Sequence, residues 1–285
     1  MTIRTLVSAS ELAAMQLRGD VLVVDCRQDL ADAGKGRRDY LDAHIPGAVH
    51  ADLAHDLSNL SQKGVGRHPL PADVQFSGAL SRWGWQPGLD VIAYDDANGA
   101  LAAARLWWLL RLAGHERVAV LDGGLAAWRA AGFALEAGTV TRMQTQANVS
   151  LDRHQAVWFD EVERSRGDAT IVVLDARAAP RYRGEVEPID PVAGHIPGAL
   201  NRPYSDNLDA AGHFKSAAGL RREFEHLLGA RDAGAVAHSC GSGVTACHNL
   251  LAMEHAGLHG SRVFAPSWSG WISDPSRPVA TGKDP

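Results

Sequence analysis

The residues with the clearest chemical potential lie between Ala235 and Leu258, in AVAHSCGSGVTACHNLLAMEHAGL. Ala235–His238 reads as a short apolar strand. Cys240 to Gly243 then form a tight loop with two glycines. From Val244 onward, Val244, Cys247, Leu250 and Leu251 fall at helical spacing. A thiol acts as a nucleophile only as its thiolate, and the positive end of a helix favours that anion. Gly241 and Gly243 let backbone N–H groups turn inward and form a nest for negative charge, and the hydroxyls of Ser242 and Thr245 can add hydrogen bonds to a bound anion. The competing reading of Cys240 is a small buried hydrophobe, but strand-to-helix loops and paired glycines favour a reactive thiol. Cys247 shares a helix face with Val244 and Leu251 and reads as core. A Cys240–Cys247 disulfide would need backbone movement.

Such a loop needs a rigid sheet beneath it. Apolar runs at Val21–Val24, Val91–Tyr94, Val118–Leu121, Ile171–Leu174, Ala235–His238 and Arg262–Phe264 are the strand candidates. Helical periodicity marks Ser10–Leu17, Ala100–Ala113, Phe159–Ser165, Leu220–Leu228 and Val244–Ala256. Alternation of helices with continuous apolar strands implies an α/β fold, its mostly parallel sheets covered on both faces. The landmarks also occur twice in one order. VLVVD from Val21 returns as IVVLD from Ile171, HIPGA at His44 returns at His195, IAYDD parallels VAHSC, and GGLAAW parallels PSWSGW. The expected division is therefore a domain at 1–138, a polar linker at 139–151 and a second domain at 152–285. IAYDD set against VAHSC places Asp96 where the second half has Cys240.

Composition narrows the function. The chain has 285 residues, 46% hydrophobic and 21% charged, with a net charge of −5. These values fit a globular protein with ample core material, and no Lys/Arg-rich run suggests a nucleic-acid surface. No segment approaches the length of a membrane helix, and the N-terminus has no secretory pattern, so a cytoplasmic location is expected. Three cysteines at non-motif spacings argue against a disulfide scaffold or a zinc site.

Cys-Gly-Ser-Gly-Val-Thr at 240–245, the two HIPGA strings and GGLAAW resemble the 3-mercaptopyruvate sulfurtransferases of the tandem-rhodanese superfamily, over nearly the whole chain. The resemblance implies two tandem rhodanese-like domains, the second catalytic and the first a non-catalytic copy, in keeping with an aspartate that cannot carry sulfane sulfur. It implies a ping-pong transfer through a Cys240 persulfide, from a small-molecule donor to cyanide, a thiol or thioredoxin. No metal or organic cofactor is called for, and a monomer suffices. It also implies a relay of Ser242, His68 and Asp52, with Asp56 as the other candidate aspartate. Arg181 would grip the donor carboxylate, and Gly241, Gly243, Val244 and Thr245 would complete the substrate cradle.

The chain departs from this pattern after Glu187-Pro188. Ile189 stands where a second arginine is expected, leaving Arg183 or Arg202 as substitutes. The loop is also uncharged at Gly241 and Ser242, where thiosulfate sulfurtransferases resemble Cys-Arg-Lys-Gly-Val-Thr. That favours a singly charged donor, with thiosulfate as the alternative. A phosphatase of the same superfamily would need an arginine where Ala246 stands. A non-catalytic binding module is the other alternative, and the intact cysteine loop argues against it. His44 and His195 recur in both halves and read as fold-holding. His238 reads as a buried strand histidine with a base as the lesser alternative, Trp107 and Trp108 read as packing, and Trp268 and Trp271 as core or as a wall of the site.

Overall fold

The computed structural model describes residues 5–168 and 170–285. The chain divides into two compact units. The first comprises Met1–Asn59, Leu70–Asp152 and Ala211–His213; the second comprises Leu60–Pro69, Arg153–Ala210 and Phe214–Pro285. The short segments 60–69 and 211–213 thus fold with the unit opposite to the one their place in the sequence repeat suggests.

In the first unit the chain runs β1 (Leu6–Val7), α1 (Ala9–Arg18), β2 (Val21–Asp25), α2 (Lys35–Asp42), β3 (Val49–His50), α3 (Asp73–Arg82), β4 (Asp90–Tyr94), α4 (Ala103–Leu112), β5 (Val118–Leu121) and α5 (Gly124–Ala130). Among the described residues its sheet is five-stranded and parallel, in the order β1-β5-β4-β2-β3. Every residue of β2, β4 and β5 is buried, as expected for strands covered on both faces. The segment read as a linker is extended chain hydrogen-bonded to this unit: Ala147 and Val149 N–H donate to Ser81 and Ser77 Oγ of α3.

The second unit repeats the plan with β6 (Ala156–Val157), α6 (Phe159–Asp168), β7 (Val172–Asp175), α7 (Ala179–Tyr182), β8 (Leu200–Asn201), α8 (Ala217–Leu228), β9 (Val236–Ser239), α9 (Ala246–His255), β10 (Arg262–Phe264) and α10 (Ser267–Trp271). Its sheet has the order β6-β10-β9-β7-β8, again parallel. The central strand β9 ends one residue before Cys240, so the loop leaves the carboxyl end of the sheet, the usual place for a ligand site in such folds.

The repeated motifs hold corners of the fold. His44 Nδ1 lies 2.7 Å from Tyr40 O and its ring stacks on Tyr40; His195 Nδ1 lies 2.8 Å from Tyr182 O and stacks on Tyr182. The aspartates ending β2 and β7 hold Arg27 and Arg177 in matching ion pairs, and these arginines donate onward to Ala43 O and Gly194 O. Trp268 and Trp271 are core residues of the second unit rather than a wall of the site; their indole N–H groups donate to Val192 O and Pro278 O.

Candidate active site

Cys240 is buried, 3% exposed, and its sulfur accepts hydrogen bonds from the backbone N–H groups of Ser242 at 3.4 Å and Gly243 at 3.2 Å. The turn requires glycine at 243, where φ is +78°, a left-handed value that costs other residues strain. The result is a nest of N–H dipoles closed around one sulfur, next to the start of α9. Val244 is buried and Thr245 half-buried at that start. Cys247 is buried and donates to Gly243 O at 3.4 Å, as a core residue that braces the turn.

The loop is pinned from α10. Trp268 and Ser269 N–H donate to Cys240 O at 3.0 Å and Gly241 O at 2.9 Å. Ser267 Oγ accepts from Cys240 N–H at 3.2 Å and donates to Phe264 O at 3.0 Å. Ser267 does so with φ at +52°, an unusual value for a non-glycine residue. The equivalent position in the first unit is Gly124, at φ +57°.

His68 and Ser242 meet within the second unit: His68 Nδ1 lies 2.8 Å from Ser242 Oγ, and His68 is buried. The segment carrying His68 approaches α10 closely enough to require Gly66, where a Cβ would stand 2.5 Å from Pro266 O. Arg67 N–H donates to Ser269 Oγ at 2.9 Å. Asp52 belongs to the first unit. Its Oδ1 accepts the N–H groups of Ala54 at 2.8 Å and His55 at 3.0 Å, and its own N–H donates to Asp56 Oδ2 at 2.8 Å. Asp56 pairs with Arg82.

Arg181, at the end of α7, faces the loop with its charge already occupied. Glu187 binds it through two contacts, at 2.6 and 3.2 Å, and Asp190 Oδ2 lies 3.3 Å from Nη2. Burial works against the Glu187 carboxylate, but Arg181 and the N–H groups of Asp190 and Ile189 overcome it and hold its pKa below the usual range. The cation that joins Arg181 is Arg67, which sequence reasoning missed. A Cβ on Gly241 would stand 3.0 Å from Arg67 Nη2, 3.7 Å from Asp190 Oδ2 and 3.8 Å from Arg181 Nη2. Arg67 Nη1 pairs with Asp190, and its Nε is buried without a hydrogen-bond partner. Neither expected substitute reaches this place. Arg183 pairs with Glu185, while Arg202 binds Asn207, Asp206 O and Glu223. Ile189 is 45% exposed and turns away. His238 is not a base at Cys240: its Nε2 lies 3.1 Å from Ser261 Oγ, and burial pushes its pKa down to about 3.

Strand register corrects one expectation. Tyr94 pairs with Asp25 as Ser239 pairs with Asp175, and Leu125 N–H donates to Asp95 O as Trp268 N–H donates to Cys240 O. The residue matching Cys240 is therefore Asp95, not Asp96. Its carboxylate is buried and accepts N–H groups from Ala97, Gly99, Leu101, Ala102 and Ala103. The first unit thus encloses a fixed carboxylate at the position where the second encloses a sulfur.

A rhodanese-like domain model matches residues 8–131 and 159–274. The chain is 47% identical to a Pseudomonas aeruginosa protein named a probable 3-mercaptopyruvate sulfurtransferase, covering 99% of this chain and 100% of that one. It is 40% identical to a Mycobacterium tuberculosis protein provisionally named a thiosulfate sulfurtransferase, SseB, covering 98% of each. Among solved structures, a 3-mercaptopyruvate sulfurtransferase from Leishmania major superposes with a TM-score of 0.84 at 31% identity, covering 96% of this chain and 75% of that one.

Proposed function

We propose, from the premise that this chain belongs to the rhodanese-like sulfurtransferase family, that it moves the sulfur of 3-mercaptopyruvate to a thiophilic acceptor, carrying it as the sulfane sulfur of a persulfide on Cys240. The Cys240 thiolate attacks the donor sulfur. The new S–S bond forms as the C–S bond breaks, and the electron pair leaves on carbon as the enolate of pyruvate. One proton then completes pyruvate. Cyanide, a small thiol or thioredoxin next attacks the outer sulfur and returns the Cys240 thiolate.

The observation that carries this reading is the pair of N–H groups on Cys240 Sγ. They favour a sulfur anion before and after transfer. Ser242, hydrogen-bonded to His68, is the proton donor to the enolate in this reading. Arg181 and Arg67 receive the donor carboxylate, and Gly241, Gly243, Val244 and Thr245 shape the cradle. Asp52 enters by resemblance alone. The chemistry is transfer between nucleophiles and calls for no metal or organic cofactor. We place it in the cytoplasm because none of Cys26, Cys240 and Cys247 forms a disulfide and no helix among the described residues is long and apolar enough to cross a membrane.

Thiosulfate is the second donor to test, because Arg67 brings positive charge to Gly241. The decisive experiment assays both donors with cyanide as acceptor, beside Cys240→Ser, and weighs the intact protein after donor alone. One sulfur gained by the wild type, none by Cys240→Ser, and a larger kcat/KM for 3-mercaptopyruvate are expected. A larger value for thiosulfate would reassign the donor. Failure of both donors to load sulfur would leave a rhodanese-fold binding module.

A further inference from the structure

We propose that Asp190 is a specificity-determining residue: by offsetting one positive charge where Arg67 and Arg181 meet beside Gly241, it makes the sulfur loop select a singly charged donor over a dianion. The inference rests on the sulfurtransferase reading above and assigns its charge selectivity.

The geometry is local. Glu187 Oε1 accepts the N–H groups of Ile189 and Asp190, both at 3.1 Å, and this turn sends Ile189 outward and Asp190 inward. The Asp190 side chain is 2% exposed and bridges Arg67 and Arg181. The groups around the loop balance: Arg177 faces Asp175, Arg181 faces Glu187, and Arg67 faces Asp190. Without Asp190 the set would carry one uncompensated positive charge, within 4 Å of the space over Gly241. An arriving anion must share both arginines with this carboxylate. The loop residues Gly241 and Ser242 carry no charge of their own, so the balance at residues 67, 181, 187 and 190 sets the potential that a donor meets.

Coulomb energy scales with the product of charges. Removing one negative charge from the site therefore favours a dianion by twice the free energy it gives a monoanion, so the dianion's fold-change is the square of the monoanion's. Asp190→Asn keeps the size and a hydrogen-bond acceptor while removing the charge. In a Cys240→Ser background, which cannot turn over, calorimetry with pyruvate and sulfate measures the two anion classes directly. Asp190→Asn is expected to tighten pyruvate about tenfold and sulfate about a hundredfold. In the otherwise wild-type enzyme, the kcat/KM ratio of thiosulfate to 3-mercaptopyruvate should rise about tenfold. Asp190→Glu should keep the wild-type ratio, and Asp190→Ser serves if Asp190→Asn folds poorly. Equal factors for the two anions, weaker binding of both, or no change would overturn the proposal. Should the wild type take sulfur from neither donor, the sulfurtransferase reading falls, while the pyruvate and sulfate factors still decide the role of Asp190.

Discussion

Charge at the sulfur loop is decided by single side chains that come from distant parts of the chain. Cys240, Gly241 and Gly243 are legible from residue type and spacing, because a thiol followed by two glycines at the mouth of a helix has few other uses. Arg67 is not, since its partners are Asp190 and the space over Gly241. The one available hint was its place directly before His68. Arg67→Gln is expected to raise the KM for 3-mercaptopyruvate about 10- to 100-fold, the size of a lost charged hydrogen bond, with a smaller change in kcat. Steady-state kinetics at fixed cyanide would check this. An unchanged KM would remove Arg67 from donor binding. In the proposed function Arg67 takes the part that the exposed Ile189 cannot, whereas local sequence comparison pointed to Arg183 and Arg202, both paired elsewhere.

At the level of elements, one strand–loop–helix unit has been used for two ends. After β9 the loop closes its N–H groups on Cys240 Sγ; after β4 it closes them on the Asp95 carboxylate. A carboxylate in that nest acts as structure. Asp95→Ala would strand several buried N–H donors, at about 1–3 kcal/mol for a single unsatisfied group and more for the set. The variant should therefore lower the urea midpoint markedly, and a change within about 0.5 kcal/mol would show that water replaces the carboxylate without loss. Aligning IAYDD with VAHSC chose Asp96 because letters align without knowing the ladder, whereas the Tyr94–Asp25 and Ser239–Asp175 pairs set the register. The six strands read from apolar runs were legible to within a residue: Val118–Leu121 and Arg262–Phe264 stand as expected, since continuous apolar runs have one stable placement in a doubly covered sheet, whereas the two-residue strands β1, β3, β6 and β8 are too short to show in the pattern. Short or polar helices such as α2 and α7 carry too little periodicity to be seen in advance.

Over the whole molecule, His238 of the second unit couples stability to pH on the acid side. His238 is buried, and its pKa falls to about 3 from an ordinary value near 6.5. Between those values the unfolded chain binds the extra proton and the folded chain does not. The contribution is therefore complete above about pH 6.5 and is lost progressively as pH falls toward 3. His238→Phe should flatten that part of the acid limb; urea midpoints at several pH values would show it, and parallel curves for the two proteins would refute it. By itself, the sequence determined the α/β class, the duplication and Cys240 as the candidate nucleophile, because apolar runs, repeats and a cysteine followed by two glycines are local properties of the chain. Tertiary structure alone decided that Leu60–Pro69 folds with the second unit, and so that His68 meets Ser242 and Arg67 meets Asp190 there. Those contacts join residues more than a hundred positions apart, and no local periodicity encodes a pairing set by where the folded backbone returns.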